Sequence, residues 1–300
     1  MGAIQKAFHT LRWLWEHPIG ARDRKGALVR WARWQLGSRI LGASVVVPFV
    51  DDTVLLVDPG MTGATGNVYV GLHEFADMAF ALHFLRETDR FVDAGANVGA
   101  YTILASGVRH AETLAIEPIA SAFKRLQANV RLNDIGDRVR LHNVGLAANS
   151  GRLRFTSSLD TVNHVVIGDG LGEGDGVDVP VTTLDELVKD RAPSLIKVDV
   201  EGFETAVFDG GGHTLADPEL CAIIVELNGL GMNYGFDESE LQRRFESFGF
   251  VAYTYEPFAR RLERMQRRPS AGNVLYVRGV EAVQDRLSRA RAVRVHRTTV

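Results

Sequence analysis

Short apolar runs closed by an acid recur through the middle of the chain. Arg90-Phe91-Val92 stops at Asp93, Thr113-Leu114-Ala115-Ile116 at Glu117, Leu195-Ile196-Lys197-Val198 at Asp199 and Glu201, and residues 220–225 at Glu226 and Asn228. Between them the period changes from two to 3.6. Phe123, Leu126, Val130 and Leu132 recur at helical spacing over 120–133, and 237–248 repeats the pattern. Strands alternating with helices predict parallel pairing through crossovers, with every closing acid at the carboxyl edge of one sheet. A third strand is expected over Val139–Ala147, its end near Val144 and Gly145 bordering a ligand. Two extra strands are expected at Gly151–Phe155 and Asp178–Thr183. With Phe250–Tyr255 and Asn273–Arg278 as an antiparallel edge hairpin, about seven strands result: a doubly wound α/β sheet, mostly parallel.

Outside this block the pattern weakens. Ser44–Val50 and Thr53–Val57 read as a strand pair turning at Asp51-Asp52, and Gly71-Leu72-His73-Glu74-Phe75 opens a helix to about Thr88. Residues 1–40 suggest two short amphipathic helices broken at Pro18-Ile19-Gly20. Gly168 to Gly176 is rich enough in Gly and Asp to be a mobile loop, and the chain after Gly279 reads as a basic, solvated appendage. The expected division is 1–67, an extension of helices and strands; 68–278, the α/β domain; and 279–300, a tail.

The turn after the first parallel strand, Asp93-Ala94-Gly95-Ala96-Asn97-Val98-Gly99, is a glycine loop running into a helix start. Such a turn holds a nucleoside-type ligand on free backbone N–H groups. Two features argue against a dinucleotide: Asn97 stands where a bare glycine would let backbone approach a pyrophosphate, and Asp93 would repel its charges. S-adenosylmethionine, cationic and without phosphate, suits an acidic cradle. Its ribose diol calls for an acid at the end of the next strand, and Glu117 is there. Asp93, Gly95, Asn97, Gly99, Glu117, Val144 and Asp199 are the expected donor contacts.

Composition then narrows the class. The chain has 300 residues, 46% hydrophobic and 24% charged, enough for one sizeable α/β core. No apolar stretch nears the roughly 18 residues of a spanning helix, and the start has no secretory leader pattern, so a cytoplasmic protein is expected. Cys221 is the single cysteine, which excludes an internal disulfide, and without a cysteine pair or a His-x-x-x-His spacing a structural zinc is not expected. Net charge is −3, yet residues 1–40 carry eight Lys/Arg against two Asp/Glu and residues 279–300 five against two. The acidic body between these basic ends disfavours nucleic acid as substrate. All four tryptophans lie among the N-terminal arginines, consistent with a helical cap on the domain or with peripheral contact at the inner membrane surface.

Asp93, Glu117, Asp199, Glu201 and Glu226 are expected around one crevice. Methyl transfer to a hydroxyl requires near-attack positioning and a proton acceptor. Glu201, Asp199, His73 and His164 are the candidates for chemistry, and Glu74, Asn163, Glu226 and Asn228 for acceptor binding. Asp199, Glu201 and Glu226 could instead hold Mg²⁺, a reading not favoured here.

These stretches resemble the FkbM family of S-adenosylmethionine-dependent methyltransferases. The likeness runs from Phe91–Gly99 through Ile116-Glu117-Pro118, Asn129, Asn133 and Thr183-Leu184-Asp185. Its most diagnostic part is Ile196-Lys197-Val198-Asp199-Val200-Glu201-Gly202-Phe203-Glu204, and it covers roughly residues 68–278. It implies a class I, Rossmann-like methyltransferase fold and O-methylation of a small hydroxylated acceptor, often a saccharide in polysaccharide or glycolipid assembly. The competing readings are a nicotinamide-dependent oxidoreductase and a non-catalytic donor-binding or membrane-surface scaffold.

Overall fold

A computed structural model describes residues 3–156, 164–166 and 176–300. Asn163 and the glycine-rich stretch at 168–175 lie outside the described residues.

The chain opens with three helices, α1 (Ala3–Glu16), α2 (Pro18–Arg22) and α3 (Arg24–Leu41). Pro18 does not simply break a helix. It occupies the first position of α2, where the missing N–H costs nothing, while the Nδ1 of His17 accepts the Ile19 N–H at 3.3 Å. Asp23 then starts α3 by accepting the Gly26 N–H at 3.1 Å, so the expected two helices become three. The hairpin β1 (Val45–Pro48) and β2 (Val54–Val57) follows, then α4 (Thr62–Val70) and α5 (Phe75–Phe84). Helix α4 was not foreseen, and α5 begins later and ends sooner than expected.

The central sheet is built from β3 (Arg90–Ala94), β4 (Glu112–Ile116), β5 (Val139–His142), β9 (Leu195–Val198), β10 (Ala222–Glu226), β11 (Val251–Glu256), β12 (Arg261–Arg264) and β13 (Asn273–Val277). A smaller sheet holds β6 (Gly145–Leu146), β7 (Gly151–Thr156) and β8 (Gly176–Thr182). The crossovers are α6 (Ala100–Thr102), continued as a π-helical turn over Ile103–Val108, then α7 (Ala120–Leu132), α8 (Leu184–Val188), α9 (Glu204–Asp209), α10 (Gly212–Ala216) and α11 (Glu238–Ser247). Helix α12 (Val280–Ser288) and the hairpin β14 (Arg294–Val295) and β15 (Thr298–Thr299) close the chain.

Strand order in the large sheet is β12-β11-β13-β10-β9-β3-β4-β5. It has eight strands rather than seven, because Arg261–Arg264 folds back on β11 as an exposed edge hairpin whose polar sequence hid it. Strand β13 lies between β10 and β11, antiparallel to both. The inner strands are buried on both faces. Phe91, Leu195 and Ile224 point to one layer with α5 and the N-terminal helices, while Val92, Ile196 and Ile223 point to the other. Chain order reverses at β3, which pairs in parallel with β4 on one side and β9 on the other. The crevice beyond the carboxyl ends of β3 and β9 is therefore the topological switch point, where ligands of open α/β sheets bind.

Two further expectations change. The proposed third strand splits after His142, because Gly145–Leu146 leaves the large sheet to pair with β8. Residues 280–300 are no solvated appendage. Val283 and Leu287 of α12 are buried, as are Val293, Val295 and Val300, and Val295 bridges to Val50 of the N-terminal extension. Arg289, Arg291, Arg294 and Arg297 are exposed, but Arg286 turns inward to pair with Asp89 and donate to the Phe84 carbonyl, and the apolar residues, spaced to share a face, pack inward with it.

Candidate functional site

Register assembles the site. Pairing of β3 with β9 sets Asp93 opposite Lys197 and Ala94 opposite Val198. Past the last pair the Asp199 N–H donates to the Ala94 carbonyl at 3.1 Å, and the Gly95 and Ala96 N–H groups both donate to the Ile116 carbonyl at 3.0 and 2.9 Å. The glycine loop is thus stitched to β4 and β9 at once. Gly95, at φ 78°, lies so close to β9 that a Cβ would sit 1.8 Å from the Asp199 carbonyl oxygen. Asn97 is also left-handed, at φ 50°.

A cleft of about 270 Å³ opens over these strand ends. One part is lined by Gly95, Asn97, Glu117 and Pro118; another by Asp199, Glu201 and Glu226; and an apolar wall by Phe155, Val165 and Phe203. Glu117 is buried, its two oxygens accepting the Asn97 N–H at 2.9 Å and the Ile119 N–H at 2.8 Å. Burial lifts its pKa to about 7 against the pull of those two donors. Each oxygen keeps a lone pair, so the carboxylate can still accept from a diol.

Asp93 is buried and lines the cleft, as expected of a donor-site residue. Its Oδ2 accepts from the Thr102 hydroxyl at 2.7 Å, tying the strand end to the first helical turn after the loop. Val144 does not line the cleft; it packs against the cluster beneath the sheet, and its neighbours Gly145 and Leu146 line the cleft instead. The departure of β6 from the large sheet turns the chain by that one step.

The acids do not form a purely negative ring, because Lys197 stands inside it. This side chain is buried, its Nζ 2.9 Å from Asp199 Oδ2 and 4.9 Å from the centroid of the Tyr101 ring. Burial opposes the ammonium charge, but Asp199, Glu74 and Asp93 outweigh it and keep Lys197 charged. For Asp199 burial acts upward, and Lys197 reverses it to hold the carboxyl below its ordinary value. Glu226 is pushed up to about 8 by burial and by the charges of Asp199 and Glu201. It hydrogen-bonds Asp199, so Glu226 keeps the proton and Asp199 the charge. Lys197 was missed as a site residue, although one cation inside an otherwise apolar strand signals that acids must meet it.

Glu201 reaches the cleft from a left-handed backbone, φ 56°, an uncommon state for a non-glycine. Glu204, also overlooked, holds that turn. It is buried, and its Oε1 accepts the N–H groups of Val200 at 3.0 Å and Gly202 at 3.2 Å. Burial first, and Asp199 second, raise Glu201 to about 7, with His164 and Lys197 pulling the other way. Asp199, Glu201 and Glu226 each offer an oxygen within 4.8 Å of the others. With Lys197 bound to Asp199 and Asn228 donating to Glu226 at 3.0 Å, nothing further marks the group as a cation site.

The remaining candidates divide. Glu74 lines the cleft and accepts the Tyr101 hydroxyl at 2.8 Å. His73 lines it too, its backbone N–H donating to Asn67 Oδ1 at 2.9 Å and its ring 5.1 Å from that of Trp13; burial lowers its pKa. The backbone of His164 pairs with Thr156, and its neighbour Val165 reaches the cleft. Asn228 stays behind Glu226, outside the lining, with its Oδ1 accepting the Leu230 N–H at 3.0 Å. Asn129 and Asn133 work at a distance. Asn129 accepts the Leu56 N–H at 2.7 Å and donates to the Val98 carbonyl at 2.8 Å, while Asn133 accepts the Val54 N–H at 2.8 Å. Their amides act as a sheet edge for β2 and fasten the extension to the glycine loop.

Residues 93–257 match the family model described as the methyltransferase FkbM domain. The chain belongs to the FkbM methyltransferase family. Its fold is the class I methyltransferase fold, an eight-stranded, mostly parallel sheet flanked by helices. No curated protein matches it. Among solved structures, methyltransferase FkbM from Methylobacillus flagellatus KT is 18% identical at a TM-score of 0.46, over 72% of this chain and 55% of that one. This chain therefore spans little more than half of that relative. M. jannaschii TYW2, in complex with AdoMet, is 14% identical at a TM-score of 0.41, over 78% of this chain and 86% of that one. No helix of the described residues in this FkbM family member is long and apolar enough to cross a membrane.

Proposed function

We propose that this FkbM family protein transfers the methyl group of S-adenosylmethionine to a hydroxyl of a saccharide or a related small hydroxylated metabolite. The observation that carries the reading is the shared cleft: the glycine loop and Glu117 line it together with Glu201 and Glu226. Gly95 and Asn97 form the cradle for the donor and Glu117 the acceptor of its ribose hydroxyls, while Gly99, outside the lining, turns the loop against Leu126 of α7. When bound, the donor supplies an electrophilic methyl group. Lys197 keeps Asp199 ionised beside the cradle and limits the net charge there. Glu201, poised near neutrality, takes the proton of the acceptor hydroxyl, while protonated Glu226 and Asp199 orient the polyol by hydrogen bonds. The apolar wall of Phe155, Val165 and Phe203 excludes water from one side.

Calorimetry with S-adenosylhomocysteine tests the donor site. Glu117→Ala, with its fold checked by circular dichroism, is expected to weaken binding about tenfold or more through loss of a charged hydrogen-bond acceptor. Unchanged affinity would remove Glu117 from the donor site. For the chemistry, a carboxyl that must lose its proton predicts a rate rising with pH through about 7 to a plateau. In Glu201→Gln that limb should vanish and turnover fall roughly a hundredfold, with S-adenosylhomocysteine affinity nearly kept. Turnover is read by mass spectrometry as a methyl-sized gain on candidate glycans. A pH profile identical in the variant would assign the proton to another group.

A further inference from the structure

We propose that α1 and α3 form a docking face for an anionic lipid surface. The first 41 residues hold eight Lys/Arg and only two acids. Both acids are engaged, Glu16 with Arg12 at 2.8 Å and Asp23 with Arg30 at 2.8 Å. Among the described residues no acid pairs with Arg24, Lys25, Arg33 or Arg39, all exposed. The rest of the chain carries 26 Lys/Arg against 35 Asp/Glu. A negatively charged surface therefore draws the helices and repels the body, which fixes the orientation of approach.

The same face is apolar where a soluble helix would be polar. Ile40 is 80% exposed, Phe8 67%, Leu36 64% and Leu41 63%. On α3, Val29, Arg33, Leu36 and Ile40 follow one another at i, i+4, i+7 and i+11, along one side of the helix. Apolar and basic positions interleave instead of separating into an apolar centre and a charged rim, the arrangement of a protein–protein interface. Interleaving suits the boundary between headgroups and acyl chains, where arginine stems lie along the apolar layer and their guanidinium groups reach phosphate. The basic C-terminal hairpin adds to the patch, because Arg297 lies near enough to Arg30 to oppose its charge. On the inner side of α1, Trp13 packs on His73 at the rim of the cleft, so docking brings that rim within about one helix diameter of the lipid.

The test is flotation of the full chain with vesicles of phosphatidylcholine alone or mixed with phosphatidylglycerol, at low and high salt. Binding is expected only to the anionic vesicles and is expected to weaken with salt. Leu36→Asn combined with Ile40→Asn and Leu41→Asn, and separately Arg24→Gln with Lys25→Gln and Arg33→Gln, should each lower partitioning roughly tenfold or more. Binding of S-adenosylhomocysteine should stay unchanged in both. No flotation on anionic vesicles, or flotation undiminished in both variants, would overturn the proposal. So would light scattering that shows a dimer broken by the asparagine variant, which would assign the face to a second copy of the chain. Flotation in a protein that binds no S-adenosylhomocysteine would support the lipid face while counting against the proposed donor.

Discussion

Gly95→Ala is expected to abolish S-adenosylhomocysteine binding and to destabilise the fold by about 3 to 5 kcal/mol. Two costs combine at this position. An L-residue at φ 78° is strained, and its Cβ would sit 1.8 Å from the Asp199 carbonyl oxygen, a backbone atom with no rotamer to escape into. Relief requires the ends of β3 and β9 to part, which breaks the Asp199 to Ala94 hydrogen bond of 3.1 Å and opens the switch-point crevice. Gly136→Ala is the matched control. A Cβ there meets nothing within 4 Å, so stability should hold or rise by a few tenths of a kcal/mol. Urea unfolding and calorimetry on both variants decide the matter. Gly95→Ala binding within twofold of the parent would mean that the donor does not use this turn.

The parts of the molecule legible in the sequence are those where one local pattern has one structural solution. An apolar run ending in Asp93, a left-handed glycine and a helix start can only be a strand-to-helix turn. Glu117 and Asp199 follow because their strands pair with β3 on either side. What stayed hidden depends on partners far along the chain. Lys197 looks like an interruption of a strand until Asp93 is seen beside it in register. Asn129 and Asn133 look like surface amides of α7, yet they bond a hairpin more than seventy residues earlier. Val144 and Gly145 differ by one residue in sequence, but the chain leaves the large sheet between His142 and Gly145, so only the second lines the cleft. The C-terminal segment was misread because its charge count outweighed its spacing. Val283 and Leu287 stand one helical turn apart, the signature of a packed face, and even Arg286 between them turns inward to Asp89 and the Phe84 carbonyl.

Lys197→Met should reveal how much of the acidic site depends on the cation buried inside it. The substitution keeps most of the side-chain volume and removes the charge, leaving Asp199 ionised, part-buried and without its 2.9 Å partner. Breaking a buried pair from one side costs about 3 kcal/mol at neutral pH. The pH dependence identifies the cause. With Lys197 present, the folded state holds Asp199 below its ordinary value, a contribution to stability that is lost only as pH falls through that depressed value. Without Lys197, burial, the largest influence on Asp199, is opposed only by the hydrogen bond from Glu226 and raises the folded-state value above the unfolded one, so stability drains away as pH rises from about 4. The gap in thermal midpoint between parent and variant should therefore be wide at pH 8 and narrow toward pH 5. Adding Asp199→Asn should recover much of the loss at pH 8, because the stranded charge is then gone. A gap of constant width across pH, or no recovery in the double variant, would mean that Lys197 acts through packing on Tyr101 rather than through charge. The acids of the cleft would then need another source of compensation.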